Sequence, residues 1–179
     1  RYPSKWKRTE EVFHILDKDT SNNVEVTVAC AVNALNIYYV PDFIKWKLNQ
    51  GFNKINMWPF GAGAINYHFV YHPPHLNVKV LPHWFKDQCE KKYEEFYPWW
   101  KENWRLGIPS WHKNKVTFED WEKASYGLSR LNGMISFMKS EDWSVRLPEM
   151  KEYLSLVDNT RGINFKEIYP EMKDIFNDI

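Results

Sequence analysis

The run from Val24 to Asn36, Val-Glu-Val-Thr-Val-Ala-Cys-Ala-Val-Asn-Ala-Leu-Asn, constrains the fold of this chain more than any other stretch. Its β-branched density predicts a strand over about 23–32, too apolar for an exposed sheet edge and suited to a parallel sheet covered by helices. A helix is predicted next, over Val40 to Asn49, with Phe43, Ile44, Trp46 and Leu48 on its apolar side and Gly51 as its stop. A second strand is predicted over Lys54 to Pro59. The connections are short, so the unit reads as strand–helix–strand with a right-handed crossover. Polar residues at the carboxyl end of such a strand point into the crevice where α/β proteins bind ligands. Asn33 and Asn36 are therefore candidate ligand-binding residues, and Thr27 joins them because it shares a small, polar-leaning strand face with Glu25, Ala29, Ala31 and Asn33. The alternative is that both asparagines cap the turn into the helix.

The remaining stretches read as loops and helices. Ser4 to Leu16 is predicted as a helix and Asp17 to Asn23 as a polar turn. Gly61-Ala62-Gly63-Ala64 and Pro73-Pro74 bracket a loop-rich junction, with a short strand predicted over Leu76 to Leu81. Four helices are expected after it: His83 to Glu102, Phe118 to Lys139 behind the Thr117 cap, Leu147 to Leu156, and Phe165 to Asn177 with Pro170 interrupting. The expected division is 1–60, 61–82 and an aromatic-rich helical extension over 83–179.

A net charge of +1 gives no electrostatic case for nucleic acid or an anionic membrane surface. The longest apolar run, Val26 to Val32, is far short of the roughly 20 residues that span a bilayer. Cys30 and Cys89 are the only cysteines, and Cys30 lies inside the strand, so a packed thiol in a reducing cytoplasm is expected rather than a disulfide. The chain opens on Arg1 with no signal peptide and reads as a piece of something longer.

Other clusters are weighed the same way. His68, His72 and His75 have metal-like spacing, but Pro73 and Pro74 spoil the helical geometry such spacing needs, so no metal is expected. Gly61-Ala62-Gly63 lacks the partners of a phosphate cradle. Tyr93, Phe96, Trp100 and Trp104 recur at helical spacing and predict a buried stripe. A surface of exposed aromatics, Trp99, Trp111 and Trp121 among them, is the competing reading; it would make the chain a non-catalytic α+β binding module.

The pattern Val24, Val26, Val32, Asn33, Asn36, followed by Asp42-Phe43-Ile44-Lys45-Trp46 and Gly51, resembles the second half of a radical S-adenosylmethionine (SAM) enzyme barrel. The block Pro73-Pro74-His75-Leu76-Asn77-Val78-Lys79-Val80-Leu81-Pro82 is similar to the junction in radical SAM proteins with a twitch-type C-terminal extension. The closing Asp158-Asn159-Thr160-Arg161-Gly162, with Phe165 and Tyr169-Pro170-Glu171, is similar to their tail. The resemblance implies a partial (β/α) barrel fragment followed by a mainly helical extension, with Asn33, Asn36 and Thr27 near SAM. It implies a parent that cleaves SAM to methionine and a 5′-deoxyadenosyl radical, acting on an unknown substrate. The family holds a [4Fe–4S] cluster on C-x3-C-x2-C, which Cys30 and Cys89 cannot supply. The cluster, SAM and the catalytic residues are thus expected with a missing N-terminal half as partner, and association through an open sheet edge is expected of this piece alone.

Overall fold

The computed structural model describes residues 5–19, 21, 23–56, 61–108 and 116–177. The chain is mixed α/β but mostly helical: helix, 3-10 turns included, accounts for 64% of the described residues, which contain only two strands, paired in parallel. The elements are α1 (Trp6–Lys18), β1 (Val28–Val32), α2 (Val40–Asn49), β2 (Ile65–Phe69), α3 (His83–Asn103), α4 (Phe118–Ser125), α5 (Gly127–Lys139), α6 (Leu147–Arg161) and α7 (Phe165–Ile168), with short 3-10 turns between several of them. Two compact units share them. The first holds Arg1–Cys30, Pro41–Tyr67 and Phe96–Leu131; the second holds Ala31–Val40, His68–Glu95 and Asn132–Ile179.

Strand–helix–strand order is present, but its second strand is not where the sequence puts it. Residues 53–56 form bends and turns, and 57–59 lie outside the described residues. The physical reason is side-chain capture of the backbone. Asp17 accepts the N–H groups of Asn53 and Ile55 at 3.1 and 3.0 Å, and Lys54 donates to the carbonyls of Asp19 and Ser21. Donors a neighbouring strand would have used are already satisfied. Pairing with β1 falls instead to Ile65–Phe69. The strand predicted over Leu76 to Leu81 is likewise absent. Two 3-10 turns, Pro74–Leu76 and Val78–Val80, occupy it, and Asn77 caps the second by accepting from the Lys79 N–H. Val78, Lys79, Val80 and Leu81 are all buried, a run that does not alternate.

In the first unit, α2 keeps its predicted span and turns Ile44, Lys47 and Leu48 inward. Phe96, Trp100, Trp104 and Trp121 are buried there, so the predicted aromatic stripe is core. Trp104 packs edge-on to Phe118 at 5.6 Å, a geometry worth about 1 kcal/mol beyond area burial. The helix predicted over Phe118 to Lys139 breaks at Tyr126, whose φ of 53° is left-handed and separates α4 from α5. Thr117 caps α4 by accepting from the Asp120 N–H at 3.2 Å, as its sequence signature predicts.

In the second unit, Val32, Ile37, Phe85, Tyr93, Met138 and Met150 are buried. The Tyr93 hydroxyl donates to the Ile37 carbonyl at 2.9 Å, so this core tyrosine leaves no polar atom stranded. Helix α6 runs to Arg161, past its predicted end, and stops at Gly162 in the left-handed conformation. The final predicted helix is only Phe165–Ile168, followed by a 3-10 turn at Pro170–Met172.

Candidate functional site

At the carboxyl end of β1 the chain turns sharply, and two asparagines build the turn. The Asn33 carboxamide accepts from the Leu35 N–H at 2.8 Å, an Asx turn. Asn36 accepts from the Asn33 N–H at 2.8 Å and donates to the Ala31 carbonyl at the same distance. The Ala34 N–H donates to the Leu76 carbonyl at 2.9 Å, tying the turn to the segment after β2. Asn33 and Asn36 therefore meet each other, and the bonds they make are those of turn builders. Thr27 belongs to the other compact unit and is exposed just ahead of β1.

Beside the turn lies a cavity of about 130 Å³, lined by Leu35, Tyr153, Val157, Arg161, Ile163 and Tyr169 among others. A second cavity of about 190 Å³ shares Leu154, Asp158 and Phe165 with it. Asp158 is committed to structure: both its oxygens accept from the Phe165 N–H at 3.1 Å. The Tyr39 hydroxyl donates to Glu171, and burial, then that carboxylate, push its phenol far above the usual range. Burial also pushes up the Tyr169 phenol. Both stay protonated donors. A recess of 130 Å³ admits a small group only, against roughly 300–1,000 Å³ for a drug-sized ligand. It can form part of a site, not the whole of one.

The three histidines do not converge. His68 and His72 are exposed; His75 packs at a tilt against Tyr153, ring centroids 5.1 Å apart, and brings Nδ1 to 3.9 Å from Glu149. Among the described residues, no three His, Cys, Asp or Glu side chains are grouped to hold a metal ion. The cysteines do not suit a [4Fe–4S] cluster. They lie in different units, and burial pushes Cys30 up to about 11 and Cys89 up to about 12, against the thiolate form that iron requires.

A residue that the sequence reading passed over stands out in the first unit. Lys47, on α2, is fully buried, and its Nζ donates to Asn56 Oδ1 at 2.5 Å and to the Gly63 carbonyl at 2.7 Å. Burial lowers its pKa to about 7, against a smaller opposing pull from Asp17. The signal was present: Lys47 follows Ile44 by three residues and so lies on the inward face of α2. Comparison with protein-family models, with curated proteins and with solved structures finds no match for the chain.

Proposed function

We propose that this chain forms one wall of the SAM and substrate cleft of a radical SAM-type enzyme. In this reading it is the later strands of a (β/α) barrel plus a helical extension, and it is not catalytic alone. The cluster cysteines and most of the SAM contacts belong to a preceding half of the same protein. One observation carries the reading. Parallel strands are characteristically buried on both faces, yet Ala29 and Ala31 of β1, and Asn66 and His68 of β2, are exposed. These alternate positions on two parallel strands carry small or polar side chains, which is what the lumen of a partial barrel would present to a ligand and to a missing strand layer. Parallel pairing and the inward-facing Trp100, Trp104 and Trp121 weigh against an exposed-aromatic binding module.

The test is anaerobic reconstitution, with iron and sulfide, of this chain joined to the coding sequence upstream of it. SAM cleavage to methionine and 5′-deoxyadenosine is expected there and not from residues 1–179 alone. An upstream sequence without C-x3-C-x2-C, or a reconstituted parent that leaves SAM intact, would overturn the proposal.

A further inference from the structure

The buried ammonium of Lys47 has a hydrogen-bonding arrangement that is complete in only one direction. It is fully buried, and no carboxylate lies within ion-pair distance of it among the described residues. Its acceptors, Asn56 Oδ1 and the Gly63 carbonyl, are both neutral. The other end of the same carboxamide, Asn56 Nδ2, is buried without a partner among the described residues. A buried unpaired N–H is costly, and a buried unpaired carbonyl is better tolerated. A neutral amine, unlike an ammonium, has a lone pair that can accept.

We infer that Lys47 and Asn56 form a proton-operated latch, read out in the orientation of the Asn56 carboxamide. With Lys47 as ammonium, Nζ donates to Asn56 Oδ1 and to the Gly63 carbonyl. On loss of one proton to solvent, the carboxamide turns over about its Cβ–Cγ bond. Asn56 Nδ2 then donates to the lone pair of Nζ, while Nζ still donates to Gly63. The orphaned donor is thereby satisfied and the orphan becomes a carbonyl oxygen. The charged groups facing the latch are few. Asp17 on α1, whose carboxylate holds the Asn53 and Ile55 N–H groups, favours the ammonium. Lys54, two residues before Asn56, is paired with Asp19. The stretch 57–60 is Met-Trp-Pro-Phe and carries no titratable side chain. Burial places the proton loss near neutrality.

Gly63, whose carbonyl stays an acceptor in both states, belongs to a tightly wound loop. Gly61, Gly63 and Ala64 all have positive φ, and Gly61 and Ile65 line a cavity of about 180 Å³ with Asn66, Tyr67 and Arg130. The experiment is an NMR titration of the 179-residue chain, following lysine side-chain carbons and the Asn56 side-chain NH₂ pair. One lysine is expected to titrate near pH 7, to vanish from the spectrum in Lys47→Met, and to share its midpoint with a shift of the Asn56 NH₂ signals. Asn56→Asp supplies a counter-ion and is expected to raise the lysine midpoint by about two pH units; this arm stands even if Lys47→Met fails to fold. A Lys47 midpoint above about pH 9.5, or Asn56 NH₂ signals indifferent to pH, would overturn the latch.

Discussion

Lys47 is where the cost of a single buried charge becomes measurable. Its folded pKa, about 7, lies below the ordinary lysine value of about 10.4. Between those two values the unfolded chain binds a proton that the folded chain has released, so stability rises with pH across that window and levels off above it. The slope approaches about 1.4 kcal/mol per pH unit. Urea unfolding at pH 7.5, 8.5 and 9.5 is expected to show this rise in the natural chain and a flatter profile in Lys47→Met. At Gly61 the constraint is steric. Its φ is 72°, and an added Cβ would sit 2.4 Å from the Ile65 carbonyl oxygen, so Gly61→Ala is expected to cost more than about 2 kcal/mol in the same assay. Asn36→Ala removes the acceptor for the Asn33 N–H and the donor to the Ala31 carbonyl. A loss of about 1–2 kcal/mol is expected. The sequence made Asn33 and Asn36 visible as polar residues at a strand end, with turn capping weighed beside ligand contact. The hydrogen bonds that build the turn depend on neighbouring backbone atoms, which a sequence does not display.

At the scale of elements, legibility followed periodicity. Helix α2 was readable because Ile44 and Leu48 repeat at helical spacing and Gly51 follows, and α4 because Thr117 announces it. What failed was pairing. The apolar alternation around Ile55 resembles a strand, but the donors of residues 53 and 55 are taken by Asp17, 36 and 38 positions away in sequence. No local pattern records such a bond. Conversely, β2 carries Asn66 and His68 among apolar residues and gave a weak signal. The break at Tyr126 was missed because a tyrosine in left-handed conformation is uncommon. That strain is removable. Tyr126 is 59% exposed, so Tyr126→Gly loses little packing and is expected to raise stability by roughly 1 kcal/mol, measured by the urea midpoint at constant slope.

For the whole molecule, the informative quantity is what the two strands leave unpaired. In a two-stranded sheet each strand is also an edge, and edges recruit other chains unless they are blunted. Self-association of residues 1–179 is expected in sedimentation velocity over a rising concentration series. It should be suppressed when the chain is joined to a preceding half that supplies the next strands. Unchanged monomer at the highest concentration would count against open edges and against the barrel-wall proposal together. The general class, mixed α/β with a helical C-terminal part, was legible from the valine-rich run and the helical spacing after residue 83. The two interleaved compact units were not, because they draw on separated stretches of chain.

Helix α1 has no fully buried residue, and burial alone gives it no weight in the core. Yet Glu10 accepts from the Trp46 indole, Trp6 meets the same ring at 4.6 Å, and Asp17 owns two backbone donors of the distant 53–55 segment. Removing this helix would therefore slacken the 53–55 segment, so that damage seeded before residue 20 would surface some forty positions further on.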